Sequence, residues 1–258
     1  MQEREPPGRE TMVAQIRSAA EAKGEYRDML IRLMTRQIYA ETATAEVFGQ
    51  AITAAPTWEE KHRLAVFTLE EAQHSQGLVV LLRDLGEDAE AIIAARPPAG
   101  EFWAIDLSQW IDIAVFNFVV DRAGSHQIME YRQSSYTPWA DSQEVVLADE
   151  EEHYGTGIQV LREFAKDADR FAKFKVSFER VLPNAVKRAF GRPGSAENEY
   201  CLRVGLKRHS HEQILNRYLD EMKGYMGPVG LAFPPMSAFE AAGVEMAEST
   251  KEIVLSLQ

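Results

Sequence analysis

The chain has 258 residues, with 28 Lys and Arg against 40 Asp and Glu, for a formal net charge of −12. That acidity disfavours binding to nucleic acid, whose affinity rests on neutralising phosphates, and a composition 45% hydrophobic and 26% charged is that of a globular protein rather than a disordered one. The single cysteine, Cys201, excludes a disulfide framework, a cysteine-ligated zinc site or a cysteine-held iron–sulfur cluster within this chain.

No apolar run nears the ~20 residues that span a bilayer, and the opening MQEREPPGRE lacks a signal-peptide core, so a cytoplasmic protein with no membrane partner is expected. The hydrophobic period is helical nearly throughout and strand-like alternation is almost absent, which predicts an all-α fold. A short helix is expected around residues 11–22, then a long one over 25–54 that Ala55-Pro56-Thr57 breaks. Thr57 with Glu60 forms a capping box that opens a second long helix, ending near Leu85-Gly86. Residues 87–107, with Pro97, Pro98 and Gly100, read as a connection holding at most one short helix. Asp106 with Gln109 resembles another capping box and starts a third long helix to about residue 133. Thr137 as N-cap with Pro138 behind it starts a fourth, to about residue 166. Helices over 169–190 and 195–225 follow, parted by Gly191-Arg192-Pro193-Gly194, and a Gly/Pro linker over 227–235 leads to a last helix capped by Ser237 and Glu240. This pattern predicts a single domain: a four-helix bundle over about 25–166 with a helical C-terminal extension over 167–258.

Amphipathic helices turn charge outward, so acids on an inward stripe are the anomalies. In the second helix the apolar stripe runs Leu64, Phe67, Glu71, His74, Leu78, Leu81, Leu85; in the fourth it runs Val146, Glu150, His153, Gly157, Val160. Each thus carries Glu-x-x-His on its inner face, and residues three apart are neighbours that can grip one metal. Three such pairs occur in the chain where chance predicts fewer than one. The third, Glu59/His62, lies in the polar first turn TWEEKHR and is expected to be a solvated helix start. The first helix places Glu41 on its stripe Leu30, Met34, Ile38, Ala45, Phe48, Ile52, whereas Glu46 lies about 140° away. The third helix is apolar nearly all round, with Asp121 toward its end; Asp112 lies about 180° from it and is expected to face solvent. One carboxylate from each of two helices and Glu-x-x-His from each of two others is the ligand set of a ferritin-like dinuclear site. Four acids and two imidazoles, Glu41, Glu71, His74, Asp121, Glu150 and His153, suit two iron or manganese ions better than zinc. His209-x-His211 looks like a further metal motif, but residues two apart on a helix diverge, so it is read as surface.

Several segments resemble the phenylacetic acid catabolic family, and within it the catalytic subunits: LIRLMTRQI, Ala55-Pro56-Thr57, Glu70-Glu71-Ala72-Gln73-His74, Val120-Asp121-x-Ala123-Gly124, Ser135-Tyr136-x-Pro138 and Glu150-Glu151-Glu152-His153. The likeness covers roughly residues 26–157 and weakens beyond; the ligand spacing is similar too, 30 residues from Glu41 to Glu71 and 29 from Asp121 to Glu150. The resemblance implies a ferritin-like fold and a non-haem di-iron centre, with O2 as co-substrate. It implies epoxidation or hydroxylation of an organic substrate, such as an aromatic acyl-CoA thioester like phenylacetyl-CoA. Glu41, Glu71 and His74 would hold one iron and Asp121, Glu150 and His153 the other, with Glu71 or Glu150 bridging. Electrons would come from a separate reductase, and a second ferritin-like subunit or a homodimer is a further expected partner.

Two other readings use the same residues: an iron-oxidising or storage protein, and a structural subunit of a multicomponent oxygenase, which would have lost ligands. The small residues Thr42-Ala43-Thr44-Ala45 either leave room for substrate or simply pack helices. Residues 166–208 hold eleven Lys and Arg against five Asp and Glu. Lys187, Arg188, Lys207 and Arg208 there form either a solvated face or a surface for an acidic partner or substrate phosphates.

Overall fold

A computed structural model describes residues 13–256 and 258 of the chain. Its helices are α1 (Gly24–Ala51), α2 (Trp58–Asp84), α3 (Ala89–Ala94), α4 (Ala99–Trp103), α5 (Trp110–Tyr131), α6 (Thr137–Phe164), α7 (Ala168–Phe190), α8 (Ala196–Arg203), α9 (His211–Met226), α10 (Met236–Ala242) and α11 (Glu248–Leu255). No strand occurs among the described residues, so the fold is all-α as the periodicity predicts. No described helix is long and apolar enough to cross a membrane.

The chain pairs α1 with α2 and α5 with α6 through short connections, which return each helix antiparallel along its predecessor, and the two pairs meet as a ferritin-like bundle. Helix α7 lies along α5, and α9 packs on both α5 and α7, so the C-terminal helices cover one side of the bundle. The Thr57 hydroxyl accepts the Glu60 amide at 3.2 Å, starting α2 as expected. Close approach of α5 to α6 depends on Gly157, where a Cβ would stand 2.6 Å from Asn117 O and from the Phe118 backbone.

Two apolar clusters fill the interior. One gathers Phe48, Phe67, Phe116, Phe118 and Phe178; the other gathers Leu30, Leu33, Ile38, Leu82 and Trp139. Along α1 the division falls between Ile38 and Ala43, and along α2 between Phe67 and Leu78. Glu41, Glu71 and His74 occupy those gaps, so a polar layer separates the two cores.

The structure departs from the sequence reading at several ends. Residues 13–22 are not helical: Ile16 lies extended against the α5–α6 connection, donating to Ser135 O at 2.8 Å and accepting from Thr137 N at 2.9 Å. Residues 11 and 12, where that helix is expected to begin, lie outside the described residues. The Asp106 side chain turns back onto Ser108 N at 3.0 Å, so α5 opens later, at Trp110, without a side-chain cap. Tyr136, not Thr137, is the N-cap of α6. The connection 87–107 holds two short helices rather than one. The expected helix over 195–225 is broken at Gly205, whose φ of +72° favours glycine. Its Cβ would meet Val13 at 2.8 Å. Ser195 and Ser210 each cap one half. The last segment likewise forms two helices, and Ser237 lies inside the first of them instead of capping it.

Candidate metal centre

Glu41 on α1, Glu71 and His74 on α2, Asp121 on α5, and Glu150 and His153 on α6 are all buried, none more than 5% exposed. One side-chain atom from each of Glu41, Glu71, His74 and Glu150 lies within 4.8 Å of the others. Glu71 stands between the imidazoles, with Oε1 3.3 Å from His153 Nδ1 and Oε2 3.9 Å from His74 Nδ1. Glu41 Oε2 approaches the same His74 nitrogen at 3.4 Å. Asp121 sits beside this group, held by the Asn117 amide at 2.6 Å. Glu41 is likewise held, by the Gln37 amide at 3.0 Å. Phe67 and Phe48 pack on the His153 ring, with centroids 4.0 and 5.9 Å away.

Two further acids belong to the arrangement and were missed in the sequence. His74 Nε2 donates to Asp149 Oδ2 at 3.0 Å, and His153 Nε2 donates to Glu70 Oε2 at 2.9 Å. The pattern is reciprocal: the acid just before the glutamate of each Glu-x-x-His steers the histidine of the other helix. The signal was present as an acid-Glu-x-x-His repeat, Glu70-Glu71 and Asp149-Glu150. With Nε2 carrying the proton, each ring presents its Nδ1 lone pair to the cluster.

Four buried atoms there have no hydrogen-bond partner among the described residues: Glu71 Oε1, Glu150 Oε2, His74 Nδ1 and His153 Nδ1. Buried polar groups are normally satisfied, so orphaned atoms on neighbouring carboxylates and imidazoles are what a cation's ligands look like; His153 and Asp121 flank the group of four, His153 through Glu71 Oε1. The electrostatics agree. Burial, then the charges of Glu41 and Glu150, pushes Glu71 well above the usual carboxylate range. Burial and neighbouring acids likewise raise Glu150, and burial raises Asp121 even against the Asn117 hydrogen bond. Burial also opposes charge on Glu41, but His74 together with hydrogen bonds from Glu71 and Gln37 outweighs it and holds that carboxyl low. Burial lowers His153, while on His74 Glu41 and Asp149 overcome burial and raise it.

The excluded residues fall mostly as expected. Glu59 and His62 are exposed, and Glu46 is exposed and paired with Arg96. Asp112 is a correction: it is 3% exposed, because α7 covers that side of α5 and supplies Ser177 Oγ at 2.6 Å and the Arg180 guanidinium. His211 is a second correction. It opens α9 buried beneath Gly191, while His209 precedes the helix and meets Glu130 Oε1 at 2.6 Å. The two are not a metal pair. Lys207, read as part of a charged surface, is also buried, at 3%.

A cavity of about 750 Å³ reaches Glu41, Glu71, Asp121 and Glu150. Trp103, Val120, Ile128 and Tyr131 also line it, and its exposed lining includes Arg36, Lys187, Arg188 and Arg192. Within the small-residue stretch after Glu41, Thr44 lines this space, whereas Thr42 turns its hydroxyl to Ile38 O at 2.6 Å.

The Phenylacetic acid catabolic protein family matches residues 1–252. The chain is 24% identical to a 1,2-phenylacetyl-CoA epoxidase subunit from Escherichia coli (strain K12) over 225 residues, covering 81% of this chain and 70% of that relative. A match along nearly the whole sequence identifies the lineage: the chain belongs to the phenylacetic acid catabolic protein family.

Proposed function

We propose that this chain is the catalytic subunit of a non-haem di-iron oxygenase that inserts one atom of O2 into an organic substrate as an epoxide or hydroxyl. The observation that carries this reading is the set of four buried atoms on two Glu-x-x-His motifs that lack a partner among the described residues, beside a group in which Glu41, Glu71, His74 and Glu150 each bring an atom within 4.8 Å of the others. Glu41, Glu71 and His74 would hold one ion, and Asp121, Glu150 and His153 the other, with Glu71 shared, since its two oxygens face the two imidazoles. Two divalent ions balance the four carboxylates in charge, and the oxygen-rich donor set fits iron or manganese. When bound, the iron pair supplies O2 activation and oxygen transfer. The rest is this chain's own work. Asp149 and Glu70 fix the imidazole tautomers, and Gln37 and Asn117 aim Glu41 and Asp121. Phe48 and Phe67 keep water from His153.

The cavity beside the acids supports oxygenation over iron storage, which needs no organic chamber. The filled ligand set supports a catalytic over a structural role. Electrons come from a separate reductase, and a second ferritin-like subunit or a second copy completes the assembly. The bundle and its C-terminal helices act as one domain, in the cytoplasm. Substrates to try first are aromatic acyl compounds, including the phenylacetyl-CoA thioester named for the relative. Iron-loaded protein with a reductase and 18O2 should place one labelled oxygen in the product. Iron oxidation without labelled product for any acyl compound tried would favour the storage reading.

A further inference from the structure

Resting on the cavity as the substrate chamber, we infer that Lys207 and Gln127 form a binding point for a free carboxylate of the substrate, leaving its apolar body facing the acidic cluster.

Lys207 is 3% exposed, and its ammonium donates to one acceptor, the neutral amide oxygen of Gln127, at 2.8 Å. The Tyr131 ring lies 5.3 Å from the same nitrogen. The acids nearby are committed elsewhere: Glu130 accepts Arg208 N, His209 N and the His209 ring, and Glu197 pairs with Arg36. Those Glu130 bonds also clamp the α8–α9 loop, so Lys207 cannot lift its head to solvent as lysines ordinarily do. Burial lowers its ammonium to about 8, which leaves it charged at neutral pH. Gln127 is 7% exposed, and its Nε2 has no hydrogen-bond partner among the described residues.

A buried cation with no carboxylate partner and an amide donor with no acceptor, among the described residues, therefore sit side by side in a cavity wall. Both call for an acceptor, and a full positive charge in low dielectric is matched best by a full negative one. The nucleotide phosphates of a coenzyme would lie at the exposed cations of the lining, so they do not meet this need. Gln127 follows Asp121 by six residues on α5, about 9 Å along the axis. Repulsion from the cluster and attraction to Lys207 then set the direction of a monoanion: carboxylate toward Lys207, apolar end toward Glu71.

Calorimetry on the metal-free protein tests this with phenylacetate, 3-phenylpropionate and 4-phenylbutyrate, their primary amides, and phenylacetyl-CoA. At least one acid should bind, its amide at least tenfold more weakly, and Lys207→Met should weaken the acid at least tenfold without affecting the amide. Gln127→Leu should weaken the acid more than the amide, and it decides the matter if Lys207→Met does not fold. The idea is overturned if no acid binds, if amide and acid bind alike, or if only the thioester binds and ignores both substitutions. Iron content and 18O2 incorporation are separate readouts. Lys207-dependent binding without oxygenation would sink the oxygenase reading alone; oxygenation of a thioester with no acid binding would sink this inference alone.

Discussion

Glu71→Gln should make the metal-free protein more stable while depriving it of metal. Glu71 is 1% exposed and lies within 4.8 Å of Glu41 and Glu150 atoms. If it stays ionised, repulsion from one such neighbour at an effective dielectric of about 20 is ~3 kcal/mol. If it takes up a proton at pH 7 instead, the penalty relative to its ordinary value of 4.5 is again about 3 kcal/mol. Glutamine keeps the shape and removes either cost. For a chain of this size ~3 kcal/mol corresponds to a rise in Tm of roughly 6–12 °C. Ferrous iron added anaerobically should raise the wild-type Tm, by about 2.7 kcal/mol of stability at a hundredfold excess over Kd. It should do much less for the variant. The assay is a pair of melts, with and without ferrous iron, for both proteins. A metal-free Glu71→Gln that melts lower than wild type, or an unchanged iron-induced shift, would refute the reasoning.

The raised carboxyls set the pH dependence. Burial raises the carboxyls of Glu71, Asp121 and Glu150 in the folded metal-free protein above the range near pH 4–5 where the unfolded chain releases its protons, while Glu41 is lowered and so contributes no slope above that range. Metal-free stability should therefore fall as pH rises from about 5 toward 8, read by denaturant melts, while the iron-induced gain grows because ligands must be deprotonated. Asp149→Asn and Glu70→Gln should each weaken iron binding by roughly 10–100-fold without changing its stoichiometry at saturation, checked by anaerobic titration. Glu41→Ala should abolish O2-dependent turnover and Glu46→Ala should leave it near wild type; the reverse result would move the α1 ligand.

The burial of Glu41, Glu71, His74, Asp121, Glu150 and His153 was legible because a carboxylate on an apolar stripe is an anomaly that one sequence can show. Glu41 was separable from Glu46 by helical phase, and the structure buries the first and exposes the second. What the sequence hid was tertiary. Asp149 and Glu70 sit half a step off the stripe and acquire meaning only because α2 and α6 face one another. Asp112 looked solvent-bound on α5 alone; nothing local announces that α7 will cover it with Ser177 and Arg180. Lys207 counted as one cation in a basic run until the break at Gly205 and the Glu130 clamp turned it inward. The capping pairs at Asp106 and Ser237 failed because short polar side chains serve turns as readily as helix starts.

The most direct test of the account is metal stoichiometry. Protein loaded anaerobically with ferrous iron should hold two ions per chain, and Glu71→Ala and His153→Ala should each lose at least one. Glu59→Ala and His62→Ala should keep both. Full iron occupancy in a Glu71→Ala/His153→Ala double variant would contradict the assignment of the centre.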